Sequence, residues 1–128
     1  MKIHQGIDIV AVAKLRDIAR RHPGFVRDMF TDREKVYCES RKDRDLHLAG
    51  RFAAKESYLK ALGTGFPGAG IDRIFREIEV VPNPAGRPEI VVDGWAARLS
   101  RKKKITQCSV SITHAGEYAV AAVILVAD

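Results

Sequence analysis

An α+β fold is predicted for these 128 residues by the order of their periodicities: one strand, a run of helices, then mostly strands. The longest helical signal, from about Asp43 to Leu62, stands at the centre of that order, and the chain closes on two strands separated by Ala115-Gly116. Hydrophobic residues make up 46% and charged residues 30%, which fits one globular domain over residues 1–128.

Each element has a local reason. Lys2–Val10 reads as a strand with Ile3, Ile7 and Ile9 on one face and His4, Gly6 and Asp8 on the other; Gln5 breaks the apolar alternation. Val12, Leu15, Ile18 and Ala19 recur at helical spacing until His22-Pro23-Gly24 stops them, and Phe25–Phe30 adds a helical turn. Thr31-Asp32-Arg33-Glu34 has the form of a capping box and opens a short helix through Val36 and Tyr37. The central helix carries Leu48, Phe52, Ala53, Tyr58, Leu59 and Leu62, and Gly63 ends it before a glycine-rich loop, Thr64–Gly70. Strands follow at Phe75–Val81 and Glu89–Val92, around a turn at Pro82–Gly86, then a helix over Trp95–Lys103. Cys108–Thr113 and Tyr118–Val126 form the closing hairpin. Its second strand is apolar at nearly every position, which implies burial on both faces.

Charge restricts the function. The 22 Lys and Arg oppose 16 Asp and Glu, and a formal charge of +6 favours polyanionic partners. The densest run, Arg101–Lys104, reads as a solvated face, and a second basic group is spread over Lys14, Arg16, Arg20, Arg21 and Arg27. Neither has the aromatic interleaving or recognition-helix pattern of a nucleic-acid reader, so nucleic acid is not the expected partner. No apolar run approaches the ~20 residues that span a bilayer. Met1–Gly6 turns polar too soon for a signal peptide, so the expectation is a cytoplasmic protein with no membrane contact. Cys38 and Cys108 then read as free thiols, with a disulfide as the alternative.

Four features could carry chemistry. Asp8 lies in an apolar strand, where an ionised carboxylate needs a cation or hydrogen-bond donors, unless it points to solvent or caps a helix. Glu56 stands mid-helix four residues before Lys60. That spacing suits a surface ion pair, or a metal-binding carboxylate with a charge-stabilising lysine one turn on. Gly63-Thr64-Gly65-Phe66-Pro67-Gly68 matches G-x-G-x-x-G, but it follows a helix and no helix clearly opens after it, so a helix cap with a loop is the simpler reading. His114 ends Ser109-Val110-Ser111-Ile112-Thr113-His114 at the hairpin mouth, as a surface residue or a titratable contact. His4, His22 and His47 show no zinc spacing.

Taken together, these segments resemble the three signature motifs of the holo-acyl-carrier-protein synthases, the small single-domain branch of the phosphopantetheinyl transferases. They are Gly6-Ile7-Asp8-Ile9-Val10, then Gly50-Arg51-Phe52-Ala53-Ala54-Lys55-Glu56 running on through Lys60-Ala61-Leu62-Gly63-Thr64-Gly65, then Ser109–His114 with Tyr118-Ala119. The sequence departs at Ala11, where the family often has an acidic residue, at Ser57, where alanine is frequent, and in a slightly longer Phe66–Asp72.

The resemblance implies a phosphopantetheinyl transferase-like fold, with a mostly antiparallel sheet and a long central helix, assembling as a homotrimer with active sites between subunits. It implies transfer of the 4'-phosphopantetheinyl group of coenzyme A to a serine of apo acyl carrier protein, leaving adenosine 3',5'-bisphosphate, in support of fatty acid biosynthesis. Asp8 and Glu56 would hold Mg²⁺, Glu56 would act as base, and Lys60 would stabilise the leaving phosphate. Arg51 and His114 would contact phosphate, and the amides of Gly63, Thr64 and Gly65 would line the cofactor cleft. Lys14 and Arg21, on one face of the first helix, would meet the acidic carrier. The rival reading is a non-catalytic basic module that binds an acidic protein or nucleic acid.

Overall fold

A computed structural model describes residues 1–64 and 71–128. Strand β1 (Lys2–Ala11) runs directly into α1 (Val12–Arg21), and α2 (Phe25–Met29) and α3 (Asp32–Glu39) lead to the long helix α4 (Arg44–Ala61). Helix α5 (Ile71–Glu77) precedes the hairpin of β2 (Ile78–Pro82) and β3 (Pro88–Val92). Helix α6 (Gly94–Lys102) then leads to the closing hairpin of β4 (Ile105–Ala115) and β5 (Tyr118–Ala127). The strands form two antiparallel sheets, β1-β5-β4 and β2-β3. This is the α+β class the periodicities predict.

Helix α4 packs on β1 and β5, and its residues enter all three core clusters. Small side chains allow the approach: Ala53 and Ala54 of α4 share a cluster with Ala121 of β5 and Val80 of β2, all fully or almost fully buried. On β5 the inward residues Ala119, Ala121, Val123, Leu125 and Ala127 are buried. Register puts Ile3, Ile7 and Ile9 of β1 on the opposite face, beside Val126, Ala122 and Val120. There Ile3, Ile7 and Ile9 are 64%, 64% and 62% exposed, and Ile124 is 44% exposed. The expected burial of β5 on both faces is therefore not met within one chain, because α4 covers only one side of the sheet.

The expected strand Phe75–Val81 begins only at Ile78; Phe75–Glu77 are the end of α5. Helix passes into strand with no glycine or proline between, so the change of period leaves no mark in the sequence. A helix does open after the glycine-rich stretch, at Ile71, but a helix also precedes that stretch, so the dinucleotide-binding context stays absent.

Two helix ends form as read. Thr31 N–H donates to Glu34 Oε1 at 2.9 Å and Glu34 N–H donates to Thr31 Oγ1 at 3.3 Å, closing the capping box of α3. Helix α4 stops in a Schellman motif. Gly63, at φ +73°, donates its N–H to Lys60 O at 2.9 Å, and Thr64 N–H donates to Leu59 O at 3.3 Å. The ammonium of Lys103 hydrogen-bonds Leu62 O at the C-terminal end of α4, which gives one member of the Arg101–Lys104 run a capping role. Cys38 is buried and Cys108 exposed, and both are free thiols. Among the described residues no helix is long and apolar enough to cross a membrane.

Candidate active site

The first candidate cleft exists because β1 has no side chain at Gly6. A Cβ there would lie 2.1 Å from Ser57 O and 2.9 Å from Ala61 N, both α4 backbone. The missing carbon seats α4 on the strand, and Ser57 secures it: its hydroxyl lies 2.7 Å from Ala53 O and 2.9 Å from Ala121 O. Ala121 is the register partner of Asp8. Ser57, a departure from the family pattern, thus ties the Glu56 helix to the strand beside Asp8.

Asp8 lies two residues beyond Gly6 on the same face of the strand. Its Oδ1 accepts from Lys60 Nζ at 3.0 Å, and the same ammonium donates to Ile7 O at 3.1 Å. Asp8 therefore has the cation that its apolar strand demands, and Lys60 turns to the strand instead of forming a simple surface pair with Glu56. Asp8 and Glu56 line one cleft of about 320 Å³, together with Lys14, Leu15, Ile18, Phe25 and Phe52. Burial first, and the Asp8 charge second, raise the Glu56 carboxyl above its ordinary value, while Lys60 pulls it back. Two carboxylates that feel each other in a half-buried cleft are a donor set for a hard divalent cation. Among the described residues no group of three or more His, Cys, Asp and Glu forms a larger one.

Arg51 and His114 line a second cleft, with Tyr37, His47, Pro82, Gly86, Pro88 and Ile112. The split follows from helix geometry: Arg51 and Glu56 are five positions apart on α4, so they leave it in well-separated directions. Arg51 lays its guanidinium 3.9 Å from the centre of the Tyr37 ring. Gly50 makes room for the second cleft's far wall, since a Cβ there would lie 2.9 Å from Ile112 Cγ2 and 3.2 Å from His114 Nε2.

The other expected residues divide in the same plain way. Lys14 lines the Asp8–Glu56 cleft, whereas Arg21 sits at the far end of α1 with its guanidinium 3.1 Å from Asp17 Oδ2. The amides of Gly63 and Thr64, expected at the cofactor cleft, donate to the α4 carbonyls of Lys60 and Leu59. Gly65 lies outside the described residues.

Four residues have no site role in the sequence reading. Phe25 and Phe52, with ring centres 6.1 Å apart, wall the carboxylate cleft. His47 enters the second cleft; its place four residues before Arg51 on one helix was the available signal. Lys55 is fully buried, and its Nζ donates to Glu34 Oε1 at 2.8 Å, Phe75 O at 2.6 Å and Ile78 O at 2.8 Å. Glu34, also fully buried, accepts from Val80 N–H at 2.8 Å with its other oxygen. This pair fastens α4 to α3, α5 and β2 directly behind Glu56.

Known proteins share this architecture. The family model of the 4'-phosphopantetheinyl transferase superfamily matches residues 5–123. A holo-(acyl-carrier-protein) synthase of Caldanaerobacter subterraneus is 36% identical over 126 residues, covering 98% of this chain and 96% of that protein. One of Clostridium novyi is 40% identical over 128 residues, covering 100% of this chain and 90% of that protein. Among solved structures, the Chronobacterium ammoniagenes ACPS-CoA complex has a TM-score of 0.87 at 30% identity, covering 100% of this chain and 99% of that one. With two carboxylates joined in one cleft and the match running nearly end to end, the chain belongs to the 4'-phosphopantetheinyl transferase superfamily, in its holo-acyl-carrier-protein synthase branch.

Proposed function

We propose that the chain transfers the 4'-phosphopantetheinyl group of coenzyme A to a serine hydroxyl of an apo acyl carrier protein, releasing adenosine 3',5'-bisphosphate. We place this reaction in the cytoplasm, in fatty acid biosynthesis. The observation that carries the reading is the convergence of Asp8, Glu56 and Lys60 where Gly6 lets α4 meet β1. Relatives named for this activity, and a related structure that is a CoA complex, support it.

Asp8 and Glu56 fit Mg²⁺, which favours hard oxygens and is commonly held by one or two carboxylates with phosphate and water completing its shell. When bound it would neutralise charge growing on the coenzyme A diphosphate as the phosphorus–oxygen bond breaks. Glu56 accepts the proton of the attacking serine, its raised carboxyl lying closer to neutral pH than an exposed glutamate would. Lys60, already held on the strand by Asp8 and Ile7 O, faces the leaving phosphate with a fixed positive charge. Lys14, on the rim of the same cleft, and Arg21 along α1 meet the acidic carrier. Asp8→Ala and Glu56→Ala should each lower kcat by roughly 10²–10⁴-fold while thermal unfolding stays near wild type. Full activity of either variant at limiting Mg²⁺ would remove the metal assignment.

The separation of Arg51 and His114 from Glu56 has a quaternary answer. The uncovered apolar face of β1 and β5 supports a homotrimer, in which the Arg51–His114 cleft of one subunit adjoins the Glu56 cleft of the next and both hold one coenzyme A. Co-expressed Glu56→Ala and His114→Ala chains should then recover transfer that neither has alone. Absence of recovery in a mixed oligomer would mean that each site is built from one chain.

A further inference from the structure

The Arg51–His114 cleft contains a group without a role in the reaction as described so far. His47 leaves α4 on the same face as Arg51, and both line the cleft. Its ring meets His114 edge-on with centres 5.6 Å apart and meets Tyr37 at 6.1 Å. Tyr37 in turn carries two guanidinium groups, Arg51 at 3.9 Å and Arg41 at 4.5 Å from its ring centre. Among the described residues no carboxylate lines this cleft. Arg51 is only 5% exposed, and its Nε is buried with no hydrogen-bond partner among the described residues. A desolvated guanidinium N–H left without an acceptor is costly, and an anionic oxygen from outside relieves that cost.

We propose that His47 is a third phosphate-binding residue of this cleft, beside Arg51 and His114, and that a dianionic phosphate draws a solvent proton onto its imidazole as it binds. The inference rests on the reading of Arg51 and His114 as contacts to a coenzyme A phosphate. The groups that face His47 are Tyr37 from α3, Arg41 from the segment after it, Asp43 and Arg51 at the start and along α4, and His114 from β4. Burial, then His114, Arg51 and Arg41, hold its imidazole below the ordinary histidine value, and only Asp43 opposes them. Without an anion the surroundings therefore favour the neutral ring. Two phosphate charges reverse that balance, so binding and protonation favour each other and affinity rises as pH falls.

Adenosine 3',5'-bisphosphate serves as the probe, titrated calorimetrically into the intact protein, wild type and His47→Gln, from about pH 6 to about pH 8.5. Protonation of the probe itself is common to both proteins, so the ratio of their affinities reports on His47. Wild type should bind roughly tenfold more tightly at the acid end, with the ratio closing toward one at the alkaline end. In buffers of different ionisation heat, wild type should also take up more protons than the variant. A ratio of one throughout, or one independent of pH, would overturn the proposal if Arg51→Gln and His114→Gln still weaken binding: His47 would then only pack. If those two variants also bind as wild type, the phosphate reading of the cleft fails, and the His47 proposal fails with it.

Discussion

Lys55→Met should lower the unfolding free energy by about 3–5 kcal/mol, a large part of the stability of a domain this size. Glu34 would be left in a fully buried place without its cation, with the Thr31 and Val80 amides as its remaining donors. The carbonyls of Phe75 and Ile78 would lose their shared ammonium donor. Burial holds the Lys55 ammonium below the ordinary lysine value despite the attraction of Glu34, so the pair is not in itself a source of stability. The cost comes from leaving one member behind. Removing both charges, as in Lys55→Met with Glu34→Gln, should therefore recover part of the loss. Chemical denaturation measures this as a fall in midpoint with unchanged slope. A single variant within about 1 kcal/mol of wild type would mean that water reaches Glu34.

Gly6→Ala should reduce both stability and rate. The added carbon would meet α4 backbone at Ser57 O and Ala61 N, atoms that cannot rotate away, so the helix must lift from β1. Overpacking of this kind costs about 1–3 kcal/mol or more. The lift also separates Glu56 and Lys60, both on α4, from Asp8 on β1, and a displacement of about 1 Å in a reacting constellation can cost 10²-fold in rate. Gly50→Ala is the contrast: it meets side chains, the Ile112 γ-methyl and His114 Nε2, and no backbone atom, so its effect should be smaller. Wild-type kcat and melting temperature in Gly6→Ala would show that the close approach is not needed.

The elements read correctly from sequence are those whose signals are local. Helix α4 has an unbroken apolar period and a glycine stop, and its Schellman motif needs only Leu59 to Thr64. The capping box at Thr31 and Glu34 is equally self-contained. Helix α5 was hidden because its last turn joins an apolar strand without a break. The facing of β1 was open in another way: its isoleucines point outward, and the face with Gly6 and Asp8 points to the helix. A period of two marks two faces but does not say which one is covered.

Glu56 could be singled out because it stands in a long, specific motif, whereas the short motif around Asp8 is weak by itself and gains weight only beside the others. Where each residue sits was not legible. Lys55 is a charged residue on a helix by sequence, and only the arrival of α5 and β2 turns it into a buried one. Glu34 was visible as a cap, yet its partner Lys55 is 21 residues away. The division between the Glu56 and Arg51 clefts likewise depends on which elements line α4 at each height.

The most direct measurement is the mass of an apo acyl carrier protein after incubation with this protein, coenzyme A and Mg²⁺. The geometry predicts a gain of one phosphopantetheinyl group on the carrier, with adenosine 3',5'-bisphosphate released in equal amount, and a far slower gain with Asp8→Ala or Glu56→Ala. An unchanged carrier mass with the folded wild-type protein, tested on carriers that a known synthase modifies, would contradict transfer as the function of this cleft.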